Sequence, residues 1–233
     1  MIEKKEQEVS FKFETNPYPG LFVCLEGIDA CGKDTQSYRI VDFLKSQGKK
    51  VILTEEPNKD FLKGEDIRAV LEHRYNKKPI PSPSEFQEWY VDNRQDHLKE
   101  LVIPSLKEGE IVVTRRYFWS TIAYGSLGAP KNTLIKLNQE KRFIAPDLTI
   151  FLDISAKEAF RRKNISGEKL EFFEELGKLK KIAQTYKWLA LNFGEQITTI
   201  NGEQSKEKIT DQIKDLILNN QKFSNSKKID SAG

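Results

Sequence analysis

Gly27-Ile28-Asp29-Ala30-Cys31-Gly32-Lys33 has the spacing of a phosphate-binding loop and follows an apolar run from Leu21 to Leu25 that reads as a buried strand. The two glycines let the backbone curl so that successive N–H groups face phosphate oxygens. A helix opening at Lys33 turns its positive end to the same anion. Gly27, Ala30, Cys31, Gly32 and Lys33 are the expected phosphate-binding set, with Lys33 reaching the terminal phosphates. The next position normally holds Ser or Thr, whose hydroxyl ligates Mg²⁺, but here Asp34 comes first and Thr35 second. Asp34 either ligates the ion as a carboxylate or repels the nucleotide and spoils the site. The first reading is adopted because one carboxylate on Mg²⁺ is ordinary coordination, and Asp34 and Thr35 are taken as the metal candidates.

The elements that must position this loop follow from periodicity. Thr35 to Ser46 places Ile40, Val41, Phe43 and Leu44 at helical spacing, Gly48 ends the helix, and Val51 to Leu53 is a second strand, which makes one βαβ crossover. Ile111 to Val113 and Leu148 to Leu152 are continuous apolar runs of the kind parallel sheets bury on both faces, and a fifth strand is expected at Gln196 to Ile200. Ser82-Pro83-Ser84-Glu85 is a capping box with Pro in the first turn, opening a long helix through about Leu101. Ser155 and Glu158 cap another. Strands alternating with helices imply a three-layer α/β domain, a five-stranded parallel sheet flanked by helices, with ligands at the carboxyl ends of the strands. Residues 1–20 are expected to form an N-terminal arm, 21–219 one domain, and 220–233 a flexible tail.

Composition excludes several classes. The chain has 233 residues, is 38% hydrophobic and 31% charged, and carries a net charge of +3, a mixed-sign surface without the basic stripe of a nucleic-acid binder. It has no apolar run long enough to span a bilayer and no apolar signal core, so a cytoplasmic protein is expected. Cys24 and Cys31 are too few for a disulfide framework and read as free thiols; with only His73 and His97 besides, a Cys/His metal site is not expected.

Four further stretches lie beyond strands or on the long helix. Glu55-Glu56-Pro57 follows the second strand, and Arg115-Arg116-Tyr117 follows the third. Tyr90 and Arg94 share one helix face at i, i+4, and a cationic run begins at Arg161. Two adjacent arginines beyond a buried strand need anionic partners, and phosphate suits a guanidinium fork. Tyr90 and Arg94 could instead be core packing and a solvated charge.

In this order the stretches, with the loop, resemble the thymidylate kinase family over roughly residues 21 to 200. The resemblance implies a P-loop nucleoside monophosphate kinase fold and transfer of a phosphoryl group from ATP to dTMP with Mg²⁺, in a homodimer. Tyr90 would stack on the base and Arg94 hydrogen-bond its edge. Glu56, Ser120 and Arg116 would serve the acceptor, and Asp29 would contact its sugar or phosphate surroundings. Tyr124 would crowd the 2′ position, which implies a deoxyribonucleotide. Because Ala30 carries no cation, Arg162 and Lys163 on a lid at about 161–170 would supply it; Lys33, Asp29, Arg116 and Arg162 form the expected catalytic set.

The chain departs from that family in three places. Glu55 stands where the family has Arg, Arg115 where it has Asp, and Asp34 where it has Ser or Thr. Charge is therefore expected to be exchanged, with Arg115 paired to Asp34 or Glu55. A kinase for another deoxynucleotide or a nucleoside, and a degenerate protein that binds nucleotide without turnover, stay open as alternatives.

Overall fold

A computed structural model describes residues 13–77, 79–166, 173 and 175–228. Five parallel strands form the central sheet in the order β3-β4-β2-β6-β7: β2 (Phe22–Glu26), β3 (Val51–Glu55), β4 (Ile111–Arg115), β6 (Leu148–Asp153) and β7 (Ile197–Asn201). β2 is central and buried along its whole length, as the uninterrupted apolar run demands. Each of its large apolar side chains contributes roughly 1.5–3 kcal/mol on full burial.

Helices cover the sheet. α1 (Lys33–Ser46) packs on β3, β4 and α9 (Lys206–Leu218), while α3 (Pro83–His97), α5 (Phe118–Gly125), α6 (Lys131–Glu140) and α8 (Leu176–Asn192) pack among themselves. The α3 capping box forms as expected: Ser82 N donates to Glu85 Oε2 at 2.8 Å and Glu85 N to Ser82 Oγ at 3.3 Å. The long helix does not stop near Leu101. It widens into a π-turn at Leu98–Val102 and continues as α4 (Ile103–Lys107). Short helices α2 (Gly64–Leu71) and α7 (Ala156–Ser166) complete the frame, Glu158 N donating to Ser155 Oγ at the start of α7.

The described parts of both terminal segments, 13–20 and 220–228, pack against the domain. Phe13 is buried and stacks on Phe118 with ring centroids 4.1 Å apart. β1 (Glu14–Thr15) pairs with β5 (Ile144–Ala145) in a separate two-stranded sheet. Asn16 Nδ2 donates to Asp147 Oδ2 at 2.7 Å, so the segment 13–20 is part of the packed body. At the other end α10 (Gln221–Asn225) caps the edge of the domain, where Lys49 Nζ donates to the carbonyls of Phe223 and Ser226, each at 3.0 Å. Composition reports the polarity of such segments, and here their few apolar and backbone groups found partners that composition does not encode. Residues 1–12 and 229–233 lie outside the described residues, as does the second part of the expected lid segment, 167–170.

Candidate active site

The loop after β2 has the backbone its residue types allow. Gly27 lies at φ 144° and Gly32 at φ 102°, while Ala30 adopts the left-handed region at φ 60°. A Cβ on Gly27 would sit 2.8 Å from Cys31 Sγ and 2.9 Å from the Leu152 carbonyl oxygen, so close approach as well as φ requires glycine there. Helix α1 starts at Lys33 with no side-chain cap, which leaves its first N–H groups available to an anion.

Beside the loop, at the carboxyl ends of β2, β3 and β4, lies a cavity of about 220 Å³. The expected residues Asp29, Lys33, Asp34, Glu56, Tyr90, Arg94, Arg116, Ser120, Tyr124 and Lys163 all line it. Gly27, Ala30, Cys31, Gly32 and Thr35 do not; the first four form the loop behind it, and Cys31 is fully buried. Thr35 is one residue further into α1, which leaves Asp34 as the metal candidate that faces the cavity.

Asp29 organises the cations. Arg116 Nη2 pairs with its Oδ1, Lys33 Nζ lies 3.5 Å from the same oxygen, and Tyr124 Oη donates to Oδ2 at 2.9 Å. Burial alone would raise the Asp29 pKa, but Arg116 and Lys33 outweigh it and hold the carboxyl well below the usual range. Arg116 also donates through Nη1 to the Gly27 carbonyl at 3.2 Å and to Ser120 Oγ at 3.3 Å, and its guanidinium lies 4.6 Å from the Tyr124 ring centroid. Its backbone is left-handed, φ 67°, pinned by the bond from Arg116 N to the Leu25 carbonyl and by Thr114 Oγ1 on its own carbonyl. A non-glycine residue held there marks a position whose direction matters more than its local strain.

Tyr90 and Arg94 share the cavity-facing side of α3, as their spacing predicts. Arg94 is 1% exposed, and each guanidinium nitrogen has a protein partner. Nε donates to Glu56 Oε2 at 2.7 Å, Nη1 to Asn138 Oδ1 at 2.7 Å and Nη2 to Thr121 Oγ1 at 2.9 Å. Glu56 thus acts on the cavity through Arg94, and it also meets His97 Nδ1 at 3.3 Å. Arg94 is a rigid wall of the cavity and not a solvated helix charge.

One expected position differs, and two are as expected. Arg162 does not line the cavity. Its Nε bonds Glu158 at 2.8 Å, and its Nη atoms donate to the carbonyls of Ala30 at 3.4 Å and Gly202 at 3.1 Å, behind the phosphate loop. One residue along the helix, Lys163 faces the cavity and helps to lower the Asp29 pKa. Arg115 is paired with both expected carboxylates, Glu55 at 2.7 Å and Asp34 at 3.2 Å.

Several site residues were not singled out from sequence. Arg68 and Gln87 line the cavity, and Gln87 falls on the Tyr90–Arg94 face at i−3, a signal that was available. Glu26, fully buried at the end of β2, accepts the Tyr117 N–H at 2.8 Å, the Ser120 N–H at 3.2 Å and the hydroxyls of Ser120 and Tyr186 at 2.7 and 2.8 Å. It caps α5, which has no cap of its own, and burial pushes its carboxyl pKa up.

The Thymidylate kinase family model matches residues 25–213, which span the end of β2, the loop, the cavity and strands β3 to β7. A thymidylate kinase of Prochlorococcus marinus (strain MIT 9301) is 34% identical over 223 residues, covering 89% of this chain and 99% of its own. The probable thymidylate kinases of Pyrococcus horikoshii and Thermococcus onnurineus are 34% and 36% identical, over 85% and 84% of this chain and 96% and 97% of theirs. With the loop, the paired cations around Asp29 and the Tyr90–Arg94 wall in one cavity, the chain belongs to the thymidylate kinase family.

Proposed function

We propose that this protein is a nucleoside monophosphate kinase that transfers the terminal phosphoryl group of ATP to dTMP, giving dTDP and ADP. The observation that carries the reading is the convergence, in one cavity, of Lys33 and Arg116 from the phosphate side with Tyr90 and Arg94 from α3. Such transfer needs little covalent help from the protein; it rests on positioning and on cations placed where charge develops.

In this reading Asp29 holds Lys33 and Arg116 in place before substrate arrives, and phosphate oxygens then share their N–H groups. Arg116 takes the acceptor phosphate, with Ser120 and Tyr124 fixing its direction. Each Nη of Arg94 keeps a second N–H beyond its protein bond, which suits a carbonyl on a base edge, and Tyr90 offers its ring beside it. Lys163 closes on the phosphates from α7. Mg²⁺ fits the residues present: Asp34 and Glu55, 66% and 54% exposed and both lining the cavity, would supply the one or two carboxylates such an ion takes along with substrate phosphates. When bound there it would neutralise charge on the donor phosphates. The reading also carries a cytoplasmic homodimer, which sedimentation of the purified protein tests in its second part.

The test is ADP release with ATP and Mg²⁺ across dTMP, dUMP, dCMP, dGMP and dAMP. Selective turnover of dTMP is expected. A protein that binds ATP but turns over none of the five is not a kinase of this class.

A further inference from the structure

Arg115 ends β4 directly beside Glu55, its register partner at the end of β3, and across from Asp34 in the first turn of α1. Its side chain is 16% exposed, and both partners are far more open to water. The guanidinium has Nη1 on Asp34 and Nη2 on Glu55, but its buried Nε has no hydrogen-bond partner among the described residues. It packs 5.6 Å from the Tyr38 ring centroid and lines the same cavity as Lys33 and Arg116. Both carboxylates lie largely in solvent, where screening makes each contact worth little, so the guanidinium can change partner at small cost.

We propose that Arg115 is a donor-specificity residue: on nucleotide binding it exchanges Asp34 for an oxygen of the donor polyphosphate. Asp34 stands in for phosphate before nucleotide binds, and the exchange releases its carboxylate. The trade is favourable because a phosphate oxygen carries more charge than a half-solvated carboxylate and accepts a guanidinium N–H as well. Asp34 belongs to the turn that follows the phosphate loop, so the donor phosphates, and not the acceptor phosphate beside Arg116, are the ones within reach. The inference rests on the kinase reading of the cavity.

It gives Asp34 and Arg115 opposite effects on binding, whereas a purely structural clamp gives them the same one. The test measures binding of the non-hydrolysable analogue β,γ-imido-ATP, and separately of dTMP, by calorimetry in EDTA and in Mg²⁺, with thermal melts of each variant. Arg115→Met is expected to weaken analogue binding in EDTA by about 10- to 100-fold, the range of one hydrogen bond to a charged group. Asp34→Asn is expected to strengthen it, since the competing carboxylate is gone, and to blunt the gain that Mg²⁺ brings. With Asp34→Asn already present, Arg115→Met should cost more than it does alone, because the guanidinium is then fully committed to phosphate. Affinity for dTMP should change less than about twofold, within the range that exposed charges alone produce. The inference is overturned if both substitutions weaken analogue binding alike, if their effects simply add, or if dTMP affinity falls in place of analogue affinity. Wild-type protein that binds no analogue at all overturns the kinase reading, and this inference with it.

Discussion

The Arg94 guanidinium and the Glu56 carboxylate meet at 2.7 Å with both side chains 3% exposed or less, between α3 and the end of β3. Asn138, Thr121 and His97 complete the set, so every charged oxygen and nitrogen of the pair has a partner. Such a pair adds little net stability when intact, because desolvation offsets attraction. Breaking it leaves a bare charge in the core.

Arg94→Met should therefore cost about 3–5 kcal/mol of folding free energy, with Glu56 stranded. Arg94→Met combined with Glu56→Gln should recover a substantial part of that loss without recovering activity. Urea melts of the two single variants and the double variant measure the first claim, and dTMP turnover the second. Equal destabilisation by single and double variants would mean that the pair acts through packing alone.

Arg116 touches four site groups at once: Gly27, Asp29, Ser120 and Tyr124. Removing a charge-stabilising donor from a preorganised site typically costs about 2.7–4 kcal/mol of transition-state stabilisation, so Arg116→Ala should lower kcat/KM for dTMP by roughly 10² to 10³. Arg116→Lys should rescue little of it, because a single ammonium cannot satisfy the carbonyl, the hydroxyls and a phosphate from one position. Near wild-type turnover in either variant would make Arg116 structural.

How much of this was legible in the sequence depends on the range of the interaction. The phosphate loop, the five strands and the i, i+4 pairing of Tyr90 with Arg94 are local patterns, and each appears where periodicity and spacing put it. The pairing of Arg115 was also expected, from the charges exchanged at these positions, and the structure sets it beside Glu55 at the ends of neighbouring parallel strands. What could not be read was direction. Arg162 and Lys163 are consecutive on α7 and chemically alike, yet one turns behind the loop and the other into the cavity; only the position of the helix decides which. Glu26 was missed because a carboxylate at a strand end has no signature until α5 and α8 bring four donors to it. The order of the segment from Phe13 to Gly20 likewise depends on Phe118 and Asp147, more than a hundred residues away.

Asp29 and Glu26 should give acid-side stability slopes of opposite sign. The folded pKa of Asp29 lies below its unfolded value of about 3.9, so its ion pairs stabilise the protein fully above that pH and are lost as pH falls through it. The folded pKa of Glu26 is raised, so the stability tied to its protonated form is complete below about 4.3, its unfolded value, and is lost as pH rises through the folded one. Asp29→Asn should flatten the fall in stability toward low pH, and Glu26→Gln should flatten the decline above pH 4.3. Urea midpoints at intervals from pH 3 to 8 separate the two. Parallel shifts of the whole curve, with no change of shape, would mean that neither group titrates differently on folding.

Gly27 tests whether the loop's backbone, and not its side chains alone, makes the phosphate site. Its φ of 144° is one that residues with a Cβ rarely adopt, and the added carbon would meet Cys31 Sγ at 2.8 Å and the Leu152 carbonyl oxygen at 2.9 Å. The sulfur ends a short side chain and can be removed; the carbonyl belongs to β6 and cannot move without the sheet. Gly27→Ala should therefore shift the loop, lower the melting temperature and weaken β,γ-imido-ATP binding by at least tenfold. Adding Cys31→Ala removes the contact with sulfur but neither the clash with Leu152 nor the cost of φ, so it should restore only part of the stability and little of the affinity. Full restoration of both by Cys31→Ala would locate the requirement for glycine in side-chain crowding and leave the left-handed backbone without a role in phosphate binding.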